Sequence, residues 1–235
     1  MTLEEDKKLI RTSIIMAIMI VFLPWAIKAL EVGLDDRFSN LGIYPRKIVG
    51  LLGILTHWLV HGDFNHLLSN TFPFFMGLAL LFYHYRKISF EVIVYLSLTT
   101  GLWVWIMGRS GTVHIGASGL VYAILSFLIF SGIISKNKRL MAVGLIVIFL
   151  HGGLIYGLIY GFFKEGISYE AHLSGFLAGI LYAYWFKAKL IPEVKIKKSN
   201  IGQIYVDQYW QEQNNTIDQA VNFEYTFIEK EDPQD

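Results

Sequence analysis

Residues 116–134 read GASGLVYAILSFLIFSGII, an apolar run with a serine at its mouth, in Gly116-Ala117-Ser118-Gly119. Extended to Val113 and Ser135, the run is long enough to cross a bilayer, which takes about 20 mostly apolar residues. A serine is a weak nucleophile at its own pKa and needs an adjacent base. A later apolar run opens with Ala171-His172-Leu173-Ser174-Gly175. Ionisable side chains are costly in hydrocarbon, so a histidine there points to function.

The rest of the chain has the same character. It has 235 residues, 54% hydrophobic and 17% charged, with a mean hydropathy of +0.46. That is too apolar for an ordinary soluble domain. A net charge of +1 gives no reason to expect a nucleic-acid partner. With no cysteine, disulfides and thiol catalysis are excluded. Six segments read as spans of an all-α, polytopic membrane bundle: Leu9–Leu30, His66–Tyr83, Val92–Met107, Val113–Ser135, Leu140–Phe163 and Ala171–Phe186. The sixth is short, so Ile167–Tyr169 extend it outward. Arg11 and Lys28 are expected to snorkel at the ends of the first span. That span reads as a retained helix, being too long for a signal peptide and lacking a clear cleavage site. Ile48–Val60 is apolar but too short to cross, which suggests an interfacial or re-entrant piece.

Lysines and arginines mark the sides. One side carries Lys7, Lys8, Arg11, Arg86, Lys87, Lys136, Lys138, Arg139 and the lysines from Lys187 to Lys198. The other carries fewer, among them Arg37, Arg46, Lys47, Arg109 and Lys164. Both termini are therefore expected in the cytoplasm, with the protein in a plasma or bacterial inner membrane. The composition divides the chain into a membrane domain, 1–187, and a polar cytoplasmic tail, 188–235, read as solvated. Nothing in the sequence sets an oligomeric state.

Spans two, four and six run in the same direction, and each opens with a polar motif. Span two opens with His66-Leu67-Leu68-Ser69-Asn70. At about 1.5 Å per residue, Ser118 lies roughly 27 Å above Lys136, His172 roughly 22 Å above Lys187, and Asn70 roughly 24 Å above Arg86. All three fall in the outer part of a core about 30 Å thick. Polar motifs at one depth on three helices look like one site. A channel or transporter would instead spread polar residues at midplane depth along several spans.

In that site a neutral imidazole at His172 can take the Ser118 proton and return it to a leaving amine. No acidic residue lies inside spans four to six, so the unit is a dyad and something else must orient His172. Tyr122, four residues after Ser118 on the same helical face, is the candidate. The developing oxyanion needs donors. The Ser118 N–H, the Asn70 amide and a His66 ring N–H can supply them. Ala171, Gly175, Gly179 and Ala183 form a small-residue stripe, and Gly116 and Gly119 open the end of span four; such residues let membrane helices approach closely. Taken singly, each feature has a plainer use: Ser118 as a packing hydroxyl bonded within its helix, Tyr122 as a core tyrosine, the stripe as ordinary packing. The combination carries the reading. His57, His61 and His66 lack a His-Glu-x-x-His pattern and have only Asp63 beside them, so no metal site is expected. His57 and His61 read as structural or water-organising. His84, His114 and His151 read as loop, interface or core residues.

Together these motifs resemble the rhomboid intramembrane serine proteases, over about Gly42–Phe186. The matching elements are Gly116-Ala117-Ser118-Gly119 for the nucleophile, Ala171-His172 with Gly175 for the base, His66 with Asn70, and Tyr122 for the residue stacked on the base. The resemblance implies a six-helix membrane enzyme without a cofactor and with a water-filled cavity open outward. Its substrates would be transmembrane helices of other proteins, entering from the bilayer and unwinding near helix-breaking residues. One departure stands out: many members carry a Trp-Arg pair in the first outer loop, where this chain has Tyr44-Pro45-Arg46-Lys47, which puts the anchoring of that loop in doubt. The alternative within the same fold is a catalytically silent protein that binds client transmembrane segments.

Overall fold

A computed structural model describes residues 2–150, 168–190, 197–198 and 204–205. The chain forms two compact units, 1–191 and 192–235. Over the described residues the first unit is helical, apart from a single bridge between Ile43 and His114.

Helix α1 spans Leu3–Leu34. It starts before the apolar run because Thr2 and Glu5 form a reciprocal capping box, which satisfies two otherwise orphaned N–H groups. It stops at Asp35, whose backbone turns left-handed. The connection that follows contains the short helix α2, Gly53–Thr56, flanked by 3-10 turns at Ile48–Gly50 and His57–Leu59. The apolar stretch Ile48–Val60 is thus a broken, compact piece. Helix α3, Phe64–His84, is capped by Asp63, whose carboxylate accepts the His66 N–H at 2.8 Å. Helix α4 is Ser89–Met107, α5 is Ser118–Ile134 and α6 is Lys138–Leu150. Helix α7, Tyr169–Trp185, is capped by Ser168, and α8, Lys187–Leu190, closes the unit. The remainder of the fifth predicted span, with His151, lies outside the described residues.

Helix α5 is apolar all round, as a helix surrounded by others should be. It packs against α3, α4, α6 and α7, and residues from Gly119 through Leu128 are buried without a break. Hydrogen bonds pin its neighbours. Trp25 on α1 donates to Thr71 on α3 at 3.0 Å, Tyr182 on α7 meets Thr99 on α4 at 2.8 Å, and Ser126 on α5 donates to the Phe176 carbonyl on α7 at 2.8 Å.

The outward faces are apolar. Ile14, Ile18 and Phe22 on α1, Leu102 and Ile106 on α4, and Leu173, Leu177 and Leu181 on α7 are all exposed. A soluble monomer rarely leaves so much contiguous apolar surface uncovered. Helices α1, α3 and α4 are each long and apolar enough to cross a membrane. Helix α5 is apolar but shorter, at 17 residues, because 113–117 form a loop rather than its first turn.

Two expectations about the first outer connection change. Lys28 does not snorkel outward. Its ammonium turns inward to Glu31 at 2.9 Å and to the carbonyls of His61 and Gly62 at 3.0 and 3.3 Å. A carboxylate one turn along the helix and two unpaired carbonyls offer it more than lipid headgroups would. The loop at Tyr44–Lys47 is firmly anchored without the Trp-Arg pair. Arg46 donates to the Ile106 carbonyl at 2.7 Å and to Ser110, while Trp105 donates to the Lys47 carbonyl at 2.9 Å.

In the second unit the described residues form one short antiparallel pair, β1 (Lys197–Lys198) and β2 (Ile204–Tyr205).

Candidate active site

The loop 113–117 delivers Ser118 as the first residue of α5. Gly116 makes this possible. Its φ of +110° lies in the region that side chains rarely adopt, and a Cβ there would lie 2.7 Å from the His66 ring. Gly116 thus serves a turn and a close approach, not the helix packing expected of it.

The loop amides are already occupied. The Gly116 N–H donates to the His57 carbonyl at 2.9 Å, and the Ala117 N–H donates to His61 Nε2 at 3.2 Å. The Ser118 N–H follows in the first helical turn, where donors lack an intrahelical acceptor. His61 must then carry its proton on Nδ1. His57 does the same, donating from Nδ1 to the Gly53 carbonyl at 3.0 Å. Both rings are buried in the connection between α1 and α3. Burial pushes His57 down to about 4 and His61 down to about 3, so both stay neutral at physiological pH.

Ser118 and His172 meet. His172 Nε2 lies 3.0 Å from Ser118 Oγ, the distance of a hydrogen bond. The Tyr122 ring stacks on the imidazole, with centroids 4.3 Å apart and planes 22° apart. His172 is 8% exposed and Tyr122 7%. The approach depends on glycine at the crossing of α5 and α7. A Cβ on Gly175 would sit 2.0 Å from the Gly119 carbonyl oxygen, and one on Gly179 would sit 2.4 Å from that of Ala123. A Cβ on Gly119 would in turn lie 3.1 Å from the Ala171 carbonyl oxygen. The two backbones touch where any side chain would separate them.

Asn70 and His66 sit on the other side of the serine loop, around Gly116. Asn70 is 7% exposed, and its Nδ2 is buried without a hydrogen-bond partner. A buried, unmatched amide donor is costly unless something arrives to accept from it. His66 packs edge-on against His61, with ring centroids 5.0 Å apart.

A polar clamp that the sequence did not disclose holds the start of α7. Arg109 Nε donates to Glu170 Oε1 at 2.7 Å, and its guanidinium lies over the Tyr169 ring. His114 Nδ1 lies 2.6 Å from the hydroxyl of Ser168, the cap of α7. Glu170, two residues before His172, is almost fully buried. The available signal was a carboxylate and an arginine placed just outside two spans, where lone charges seldom sit without partners. Among the described residues no cluster of three or more His, Cys, Asp or Glu is arranged to hold a metal ion.

The apolar outward faces, the helices long enough to span a bilayer and the convergent polar side chains define an integral membrane protein of helical-bundle architecture, with a serine–histidine pair between two helices. Residues 50–189 match the Rhomboid domain family, and the chain belongs to the rhomboid family. Similar proteins include the uncharacterized protein Mb1372 of Mycobacterium bovis and the uncharacterized protein Rv1337 of Mycobacterium tuberculosis. Each is 35% identical over 173 residues, covering 69% of this chain and 69% of its own length. A protein of Acanthamoeba polyphaga mimivirus, L523, whose given name provisionally assigns it to the rhomboids, is 28% identical over 150 residues. That match covers 58% of this chain and 75% of the viral protein.

Proposed function

We propose that this chain is an active intramembrane serine endopeptidase with six spans and both termini in the cytoplasm of a plasma or bacterial inner membrane. Its substrates would be transmembrane helices of other proteins. The observation that carries the reading is the 3.0 Å contact between Ser118 Oγ and His172 Nε2, with Tyr122 stacked behind the base.

The chemistry follows from the atoms. Ser118 Oγ attacks the scissile carbonyl carbon while its proton passes to His172 Nε2. The carbonyl oxygen becomes an oxyanion, received by the Ser118 N–H and the Asn70 amide, with His66 beside them. The intermediate collapses, the C–N bond breaks, and His172 gives its proton to the departing amine. Water, deprotonated by His172, then hydrolyses the acyl-enzyme and restores the serine. No cofactor is needed for acyl transfer of this kind. A helical substrate must unwind first, because helical packing shields its carbonyls from attack.

The test is cleavage of a transmembrane reporter by reconstituted protein. Ser118→Ala and His172→Ala should each lower turnover by on the order of 10⁴-fold or more. Asn70→Ala should lower it by about 10²–10³-fold, the usual cost of one oxyanion donor. Undiminished cleavage by Ser118→Ala would remove the proposed nucleophile. A wild type that binds reporters but cleaves none would favour the silent client-binding reading.

A further inference from the structure

At the end of the bundle away from Ser118, separated from it by the length of α3, about 30 Å, lies a cleft of about 670 Å³. It forms where the first turns of α1, the turn between α3 and α4, and α8 converge. Lys8, Arg86, Lys87 and Lys189 line it, with Leu9 and Ile88 as apolar wall. The wall has one carboxylate, Glu5, which keeps its charge while accepting the Thr2 N–H at 2.8 Å and offsets only part of the basic lining. Lys189 is paired with Glu91 at 2.9 Å. Among the described residues Lys8, Arg86 and Lys87 make no ion pair. Three unpaired cations therefore face one cavity.

We propose that this cleft binds the phosphodiester headgroup of an anionic phospholipid. The recognising chemistry is that of phosphate, and two features favour a lipid over a free ion. The cavity is far larger than one phosphate needs. From Leu9 the exposed face of α1 continues apolar through Ile10, Ile14 and Ile18, a track along which acyl chains can lie. Basic pockets between membrane helices at the cytoplasmic surface bind anionic headgroups in just this way. A lipid held there would tie α1 to the α3–α4 turn and to α8. The inference rests on membrane placement alone and is independent of whether the protein cleaves anything.

The test is native mass spectrometry of the full chain in micelles doped with equal phosphatidylglycerol and phosphatidylcholine. A combined Lys8→Gln, Arg86→Gln, Lys87→Gln variant should lose its preference for phosphatidylglycerol by on the order of tenfold or more, each cation near the surface being worth about fivefold. An Arg37→Gln, Lys47→Gln variant, altered at exposed cations away from the cleft, should keep the preference. Equal loss in both variants, or no preference in wild type, would overturn the proposal. So would displacement of the lipid by inorganic phosphate at matched concentration, which would assign the cleft to a soluble anion. A melting curve in pure phosphatidylcholine micelles checks that the triple variant folds. The Arg86→Gln single variant, expected to lose several-fold, supplies the same test should the triple variant not fold.

Discussion

Ser118 is an ordinary serine until its neighbours are placed, and what surrounds it is mostly a set of buried, neutral imidazoles and amides. His57 and His61 hold the serine loop through the Gly116 and Ala117 N–H groups. His61 does so through Nε2 of its neutral ring and His57 through its backbone carbonyl, while the neutral His57 ring donates to the Gly53 carbonyl, so protonating either buried imidazole costs stability. Their folded pKa values, about 4 and about 3, lie below the ordinary 6.5. Between these limits the unfolded chain binds more protons than the folded one, so stability rises with pH. The contribution is fully present above about pH 6.5 and is lost as pH falls toward 4 for His57 and toward 3 for His61, by on the order of 2 kcal/mol per histidine at pH 5. Melting temperatures in micelles should therefore drop between pH 7 and pH 5, a window above the titration of most carboxylates. His61→Gln, whose side-chain oxygen can still accept from Ala117, should flatten that slope; an unchanged slope would exclude His61 as its source.

Among the elements, the pairing of α5 with α7 matters most. These helices meet backbone to backbone at Gly119, Gly175 and Gly179 because no side chain intervenes. Gly175→Val would place carbon where the Gly119 carbonyl oxygen stands. Overpacking typically costs about 1–3 kcal/mol, and here the helices would also have to separate, stretching the 3.0 Å contact between Ser118 and His172. The expected result is a melting temperature lowered by several degrees with reporter cleavage reduced well beyond that loss, about 10²-fold, since small misplacements at a reacting centre are that costly. Folded protein retaining full turnover would show that the close crossing is not needed for the contact. The Arg109–Glu170 and His114–Ser168 pairs set the other coordinate of α7, the position of its first turn.

At the largest scale, the helical unit 1–191 is apolar on its outward faces and keeps its polar groupings toward the helix ends. The site gathers at one end of the bundle and the cleft of Lys8, Arg86 and Lys87 at the other. The proposed orientation places the site outward. The absence of cysteine makes this measurable, because single cysteines can be introduced without background. Lys47→Cys should react with a membrane-impermeant maleimide in intact cells, and Lys87→Cys only after permeabilisation. The reverse pattern would invert the topology.

Much was legible in the sequence because it depends on local or one-dimensional properties. Apolar runs of spanning length marked α1, α3 and α4, since each must bury its own backbone hydrogen bonds wherever it lies. The position of Ser118 at the mouth of an apolar run, and of His172 at the start of another, followed from spacing alone. The loop before α5 was missed, as was the inward turn of Lys28, because a positive φ at Gly116 and a choice among carbonyl partners leave no periodic trace. What only the tertiary structure decided was proximity: the 3.0 Å between Ser118 and His172, the Arg109–Glu170 clamp, and the histidine scaffold beneath the loop. Residues 54 positions apart, as in the Ser118–His172 pair, are brought together by helix crossing, and a crossing distance is set by side chains on both partners at once, which no single stretch of sequence specifies.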